Sequence, residues 1–288
     1  MMTQFNIVTN ITSLIAQNQL NKNTSALQKA MQILSTGLKI NAAKDDPATF
    51  TISERFNTEI TGNNQILENI QSGVSILNIA EGNMTSIEAD LRRIRDLAVQ
   101  GANGFYSEDS QNAIIDEMQV RIDNINQVAK TTNFNGINLL DGSLEQMLIQ
   151  IGFGSDELTN TIDLKSTMQN CTVDKDNGLD IDLTEANLIK GTVTADDFAA
   201  YIDKIDEALS KVSGYISNAG AQYNKLTSTQ DNISVLVNNQ IEAKSTLVDA
   251  DVAKASSDVL KYQILQQSSV SLLKQANTIP EMALSLLQ

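Results

Sequence analysis

The sequence predicts a mainly α fold, in which a long antiparallel coiled coil or helical rod carries a small β-hairpin region and the N- and C-terminal helices pair with each other. Apolar residues recur at spacings of three and four along both outer parts of the chain, which indicates amphipathic helices. Near the end of the chain they recur every seven residues, as in coiled coils and helical bundles. Alternation with a period of two, which is typical of strands, is confined to one short stretch in the middle.

Two features of the composition disfavour an enzyme. Histidine, the commonest general base and metal ligand, is absent from the 288 residues. The one cysteine, Cys171, cannot form an internal disulfide or a thiolate metal cluster, and we expect its side chain to be exposed or half-buried. We therefore predict that the protein is not an enzyme and that it needs no cofactor and no metal.

The charge of the chain bears on its partners. A net charge of −15 disfavours nucleic acid and anionic membranes, because both select basic surfaces. No apolar run approaches the length of a membrane span, so none is predicted. Residues 1–43 carry a net charge of +3 and residues 253–288 carry +1, which leaves −19 on residues 44–252. Ends with so little charge can pack together without repulsion, while the acidic middle stays solvated.

The first three predicted helices follow in order from the N-terminus. The apolar stripe of the first is formed by Leu27, Met31, Leu34 and Leu38. In the second, Asp46 is placed as the N-cap and Pro47 as the first helical residue, and Gly101 and Gly104 end the helix. At about 1.5 Å per residue this helix is roughly 80 Å long. A third helix starts at Ser107, with a seam formed by Ile115, Met118, Ile122, Ile125 and Ala129.

The middle of the chain changes character. Asn135-Gly136 and Asp141-Gly142 are turn dipeptides. Apolar residues alternate with others over residues 147–153, and Thr-Ile-Asp-Leu at 161–164 follows a break. This pattern predicts a β-hairpin near 146–164.

Residues 165–192 are irregular and acidic, and they indicate a variable or exposed connection. Six of them have the composition of a calcium loop: Asp174, Asp176, Asn177, Gly178, Asp180 and Asp182. The glycine falls at the fifth position rather than the sixth that an EF-hand requires, and no bidentate Glu follows at the required place. A solvated acidic loop is therefore the favoured interpretation.

Helical order returns after Asp196-Asp197. A strict heptad pattern is formed by Phe198, Tyr201, Ile205, Ala208, Val212, Ile216, Ala219, Tyr223 and Leu226. In the tail, apolar residues recur every seven positions at Leu265, Leu272, Ile279 and Leu286. The terminal stripes are narrow and diluted by polar residues, so two such helices alone bury little area. Either they order only when copies of the chain pack around them, or they are the outer helices of one stable bundle; the sequence leaves both open.

Several stretches of the chain resemble the bacterial flagellin family. They are LSTGLKINAAKDD at 34–46, RIRDLAVQ at 93–100, TNFNG at 132–136, and, in the tail, ILQQ at 264–267, QAN at 275–277 and LSLL at 284–287. Together they cover about both outer thirds of the chain, in the order and at the spacing of the family. No single stretch is specific, but their combination is.

The resemblance implies a division into domains. Residues 1–43 and 248–288 would form an inner terminal coiled-coil domain. Residues 44–175 and 195–247 would form a helical rod domain that carries the hairpin, and 165–194 would be a short variable connection. The chain would be a short flagellin with little or no outer domain.

The resemblance also implies a function and partners. The chain would assemble with copies of itself into the extracellular flagellar filament, which serves motility, after export through the flagellar type III apparatus. The N-terminus fits export without a cleaved signal, because it lacks a basic segment followed by an apolar core. Further implied partners are a flagellar export chaperone, the filament cap and the hook–filament junction proteins.

Three sets of residues would serve these contacts. The N-terminal assembly stripe is Leu27, Met31, Leu34 and Leu38. The tail that serves assembly and chaperone binding is Leu265, Leu272, Ile279 and Leu286. The surface that the animal flagellin-sensing toll-like receptor recognises, which also contacts other subunits, corresponds to Arg93, Leu97, Ile114, Glu117 and Arg121; a solvated, salt-bridged helix face is the alternative for this last set.

Two other functions remain as alternatives. A hook–filament junction protein has similar ends, but its tail is typically less like the stretches at 275–277 and 284–287. A secreted helical type III interaction protein, such as a needle-tip component or a chaperone-bound effector, belongs to a different class. Only a flagellin is expected to lengthen filament seeds.

Overall fold

The computed structural model describes residues 9–154, 160–174, 178–184 and 188–285, with side chains as far as residue 278. The described residues form five α-helices and two small antiparallel hairpins, so the mainly α fold class is confirmed. By its internal contacts the chain divides into two units, one of residues 1–60 with 238–288 and the other of residues 61–237. We call these the terminal unit and the body unit.

Helix α1 spans Ile11–Thr36. The side chain of Asn10 caps it by accepting a hydrogen bond from the backbone N–H of Ser13. The helix ends because Gly37 adopts a left-handed conformation, with φ of 71°, and donates its N–H to the carbonyl of Ile33. The prediction that the helical stripe continues to Leu38 is therefore wrong: Leu38 lies beyond the helix, in an isolated β-bridge with Asp249.

Helix α2 spans Pro47–Gly101, close to the predicted bounds. The Asp46 carboxylate accepts hydrogen bonds from the backbone N–H groups of Ala48 and Thr49, which confirms it as the N-cap. At the other end, a Cβ on Gly101 would lie 2.6 Å from the ring of Phe198. Glycine at this position therefore permits close packing as well as ending the helix.

Helix α3 spans Glu108–Thr131, and every residue of its predicted seam is buried. It leads into a first hairpin, in which β1 (Asn133–Phe134) pairs with β2 (Ile137–Asn138). Asn135 and Gly136 form the turn with φ of 50° and 81°, as two-residue hairpin loops require. The sequence predicted this turn but not the strands, which are too short to show alternation.

The second hairpin is the predicted one. Strand β3 (Leu148–Gln150) pairs with β4 (Thr161–Asp163), with Ile149 opposite Ile162. Both isoleucines are buried, whereas Phe153 lies beyond β3 and is largely exposed.

The connection between β4 and the next helix is packed rather than exposed. Its buried apolar side chains are Met168, Cys171, Val173, Leu179, Ile181, Leu183 and Leu188. The expectation that Cys171 is exposed or half-buried is wrong: it is fully buried, and its N–H donates to the carbonyl of Leu140. Backbone hydrogen bonds satisfy many polar groups of this irregular stretch, most of them within the stretch itself, such as Leu179 N–H to the carbonyl of Thr172, so its apolar side chains can enter the core.

Helix α4 spans Ala195–Val248 and helix α5 spans Val252–Ser285. Most of the predicted heptad residues of α4 are buried, from Phe198 to Leu226, although Tyr223 is partly exposed. The Tyr201 hydroxyl is also buried and donates to the carbonyl of Ile181, which joins α4 to the packed connection. In the part of the chain that the structure describes, no helix combines the length and hydropathy needed to cross a bilayer.

Candidate assembly surface on the terminal helices

Helices α1 and α5 of the terminal unit pack against each other in antiparallel orientation. Asn10 near the start of α1 contacts Ala276 near the end of α5, and the backbone of Gly37 is joined to that of Ala250 at the other end. The pairing of the N- and C-terminal helices predicted from the sequence is thus confirmed.

The contact between the two helices is made largely by small and polar residues. The buried positions are Asn23, Leu27 and Ala30 on α1, and Ala255, Ser269 and Ala276 on α5. Side-chain hydrogen bonds cross the contact: Gln266 Nε2 donates to Thr24 Oγ1 at 3.0 Å, and Ser13 Oγ donates to Asn277 Oδ1 at 2.7 Å. Small side chains bury little apolar area, so this pairing uses up little of the apolar surface that the helices carry.

Many of the larger apolar side chains of the pair are exposed to solvent instead. The exposed ones are Ile11, Leu14, Ile15, Met31 and Leu34 on α1, and Val252, Leu260, Ile264, Leu265, Val270 and Leu272 on α5. We use the name apolar face for these eleven residues as a set, although their helical positions place them on more than one side of the pair. Apolar surface of this extent is unusual on a single soluble chain and marks a site of association.

The predicted assembly residues divide between the helix contact and the apolar face. Leu27 is buried between the helices, whereas Met31 and Leu34 lie on the apolar face. In the tail, Leu265 and Leu272 also lie on the apolar face. The Ile279 side chain and Leu286 lie outside the described residues.

The sequence analysis missed the residues of α5 that contact α1. Ala255, Ser269 and Ala276 share a heptad spacing with the partly buried Tyr262. Because most of these residues are small or polar, a search for large apolar residues does not detect them. Their spacing of seven residues does indicate a helix contact.

The ends of α1 and α5 are fixed by the segments that connect them to α2 and α4. Ala250 N–H donates to the carbonyl of Gly37, and Lys39 N–H donates to the carbonyl of Val248, both at 2.8 Å. Lys29 Nζ lies 2.9 Å from Asp45 Oδ1. The hydrogen bond from Lys29 lowers the pKa of the Asp45 carboxyl below its ordinary value. The termini are therefore joined to the adjoining helices by a defined set of polar contacts.

A groove of about 530 Å³ lies beside these connections. Ala26, Ala30 and Ile33 contribute apolar lining, and lysine and aspartate side chains such as Lys254 and Asp258 line it as well.

The residues of the predicted receptor surface lie on α2 and α3 in the body unit. Arg93 Nη2 lies 2.7 Å from Glu117 Oε1, so the structure brings these two together. Arg121 Nη1 lies 3.2 Å from Asp90, which is buried and also accepts a hydrogen bond from Asn124. The sequence analysis did not identify Asp90, because a single acid on a helix carries no periodic signal.

Leu97 and Ile114 of the same predicted set are both buried. In this conformation they offer a partner almost no contact area. Val120, which precedes Arg121, is largely exposed. The accessible part of this surface is therefore charged, with one apolar side chain beside it.

The acidic stretch considered for calcium is only partly described, because Asp176 and Asn177 lie outside the described residues. Asp180 lies 3.4 Å from Lys204 Nζ, an interaction that favours a salt-bridged position over a ligand role. Among the described residues, no group of three His, Cys, Asp or Glu side chains is arranged to hold a metal ion.

These features define a helical coiled-coil protein whose paired termini present an apolar face. Comparison with known proteins identifies the family. The model of the bacterial flagellin N-terminal helical region matches residues 7–145, and that of the C-terminal helical region matches residues 202–287. The chain belongs to the flagellin family.

Relatives match along nearly the whole chain. A flagellin of Halalkalibacterium halodurans is 34% identical over 97% of this chain and 98% of its own length. A flagellin of Bacillus subtilis is 33% identical over 97% of this chain and 98% of its own. Among solved structures, a putative flagellar hook-associated protein from Vibrio parahaemolyticus matches with a TM-score of 0.60, at 18% identity, over 71% of this chain and all of its own. That last similarity concerns the fold alone.

Proposed function

We propose that this protein is a structural subunit that assembles with copies of itself into the bacterial flagellar filament. The observation that carries the proposal is the apolar face of α1 and α5, which a single chain leaves in contact with solvent. Membership of the flagellin family over nearly the full chain supports the same function.

Assembly follows from the energetics of this face. Fully burying a Val, Leu, Ile or Met side chain contributes about 1.5–3 kcal/mol relative to leaving it exposed. Eleven such side chains, partly exposed in one copy, make association strongly favourable once neighbouring copies cover them. A face that contacts a different surface of the next copy gives a heterologous interface, and interfaces of this kind generate open helical assemblies.

The distribution of charge supports the arrangement of copies. The termini carry little charge, so several of them pack closely without repulsion, while most of the acidic side chains of residues 44–252 face water. In this arrangement residues 1–43 and 248–288 form the inner domain of the filament. Residues 44–175 and 195–247 form the rod around it, and 165–194 connect the rod's parts.

The proposal includes a route out of the cell and a partner on that route. The chain leaves through the flagellar type III apparatus, and a flagellar chaperone covers residues 253–288 beforehand, because their apolar side chains would otherwise aggregate. If chaperone binding survived deletion of residues 253–288, this assignment would be wrong. Outside the cell, the growing filament contacts the cap and the hook–filament junction proteins.

Seeded elongation tests the proposed function. Purified chain is mixed with short filament seeds, and their lengths are measured by electron microscopy over time. We expect the seeds to lengthen with a rate that rises with chain concentration. Seeds of constant length at concentrations well above those needed for a related flagellin would refute the proposal.

A hook–filament junction protein is not favoured. The flagellin relatives match at 33–34% identity over nearly the whole chain, whereas the hook-associated structure shares 18% identity. A secreted helical interaction protein of another class does not account for that full-length match.

Recognition by the flagellin-sensing toll-like receptor is a further part of the proposal. Arg93, Glu117 and Arg121 present their charged groups on the surface of α2 and α3, above Leu97 and Ile114. A reporter-cell assay that compares the parent chain with Arg93→Ala tests it. We expect a weaker signal from the variant, and equal signals would contradict the assignment.

A further inference from the structure

Two polar side chains are buried at the contact between α1 and α5. Asn23 is 5% exposed and Ser269 is 4% exposed. Asn23 Nδ2 donates to Ser269 Oγ at 2.9 Å and approaches the carbonyl of Leu265 at 3.3 Å. Its carbonyl oxygen accepts a hydrogen bond from Gln19 Nε2 at 3.2 Å. The buried amide therefore has partners for both of its ends, one of them on the opposite helix.

Apart from Leu27 and the backbone hydrogen bonds that join residues 37–39 to residues 248–250 at one end, the surrounding contact does little to determine how far one helix slides along the other. The neighbouring buried residues include Ala30, Ala255 and Ala276, whose methyl groups make similar contacts in several alignments. The heptad spacing of the contact makes a slide of seven residues, about 10 Å, the nearest alternative alignment.

Such a slide would remove the polar partners that α5 offers to α1. In the observed alignment Gln266, Ser269 and Asn277 bond to side chains of α1. If α5 slid by seven residues in one direction, Leu273, Ala276 and Leu284 would take the places of these three residues. A slide in the other direction would bring Val259, Tyr262 and Val270 there. In either alternative Asn23 would lose Ser269, and a buried amide without its partner is strongly disfavoured.

We infer that the buried Asn23–Ser269 pair fixes the alignment of the two terminal helices, and thereby determines which residues of α1 and α5 lie side by side on the apolar face. A single buried Asn is known to set register in coiled coils at the expense of stability. The second half of the inference rests on the proposed function, because it takes the apolar face to be the assembly surface.

Cross-linking measures the alignment directly. Ser13 and Asn277, whose side chains are hydrogen-bonded across the contact, are both changed to Cys, and a short bismaleimide, which adds one thiol at each of its two reactive ends, joins them within one chain at high dilution. The native Cys171 does not interfere, because it is buried in the body unit and burial raises the pKa of its thiol to about 12. In a chain slid by seven residues the two cysteines would be about 10 Å further apart along the helices.

In this Cys background, we expect Asn23→Leu to reduce the intrachain cross-link about fivefold or more while leaving helix content unchanged. Asn21→Leu is the matched control, because Asn21 is exposed on the same helix and should change the yield by less than about twofold. The exchanged pair Asn23→Ser with Ser269→Asn should restore the yield, because it rebuilds the buried hydrogen bond.

Equal yields from the parent and Asn23→Leu would overturn the inference, as would absence of the cross-link in the parent. A chain that cross-links in the observed alignment but does not lengthen filament seeds would count against the proposed function and still support Asn23 as the determinant of alignment. If Asn23→Leu reduced both the cross-link and seed elongation, and the exchanged pair restored them, the result would support the inference and the proposed function together.

Discussion

Cys171 shows at the scale of one residue how packing determines reactivity. Its thiol is fully buried, and burial raises its pKa to about 12 because the thiolate is poorly solvated there. We expect a thiol reagent at pH 8 to label the folded chain at least about a hundredfold more slowly than the urea-unfolded chain. Absorbance of the released chromophore gives both rates. Similar rates would show that the connection around Cys171 opens readily.

Gly101 and Gly82 form a matched pair on α2. A Cβ at Gly101 would lie 2.6 Å from the buried ring of Phe198, whereas a Cβ at Gly82 meets nothing within 4 Å. We expect Gly101→Ala to destabilise the protein by about 1–3 kcal/mol through overpacking. Gly82→Ala should stabilise it by about 0.5–1 kcal/mol, because alanine loses less backbone entropy in a helix. Urea unfolding of the two variants measures this, and changes of the same sign would contradict the packing argument.

At the scale of helices and strands, the ion pair between α2 and α4 links stability to pH. Arg95 Nε lies 2.6 Å from Asp206 Oδ1, and the hydrogen bond from Arg95 lowers the pKa of the Asp206 carboxyl below its ordinary 3.8. A lowered carboxyl pKa stabilises the fold above the unfolded-state value and loses that effect as pH falls through the folded-state value. We expect the free energy of unfolding to decrease as pH falls below about 4.

The variant Asp206→Asn removes this ion pair and should make the acid-side decrease shallower. Asp203→Asn, an exposed acid on the same helix, is the control for the loss of one negative charge. Urea unfolding between pH 3 and pH 7 gives the slopes. Parallel curves for the parent and Asp206→Asn would show that the pair contributes nothing to the pH dependence.

The elements that the sequence predicted are those with a strong periodic signal or a specific end residue. Apolar residues at helical spacing predicted helices α2, α3 and α4. Asp46 and Pro47 predicted the first residue of α2 correctly. The burial of the connection after β4 could not be predicted, because it depends on backbone partners such as Leu140 and on Tyr201, which lie far away in sequence. Local pattern carries no information about such contacts.

The candidate assembly surface was predicted only in part, because the hydrophobic pattern does not show which residues hold α1 and α5 together. Large apolar residues identified both terminal helices, and several of those residues lie on the apolar face rather than between the helices. The residues that hold α1 and α5 together are alanines and hydrogen-bonding side chains such as Asn23 and Ser269. A hydrophobic stripe therefore indicated that the termini pack, but it did not show which side faces the same chain and which faces outward.

At the scale of the whole molecule, assembly should depend on the apolar face without affecting the stability of one chain. Ile264 is 62% exposed on α5, so Ile264→Gln removes little packing within the chain. If neighbouring copies bury this side chain, its loss weakens each contact by about 1–2 kcal/mol, which raises the critical concentration for seeded growth roughly 5- to 30-fold.

Val235→Gln is the comparison for Ile264→Gln, because Val235 is 59% exposed but lies on α4 in the body unit and is not part of the predicted receptor and subunit-contact surface. We expect this variant to raise the critical concentration by less than about threefold. Pelleting of seeded mixtures over a range of chain concentrations gives the critical concentration, and urea unfolding of the unassembled chains confirms that their stability is unchanged. If Val235→Gln weakened growth as much as Ile264→Gln, the apolar face of the terminal unit would not be the principal assembly surface, because similarly exposed apolar side chains elsewhere would contribute equally.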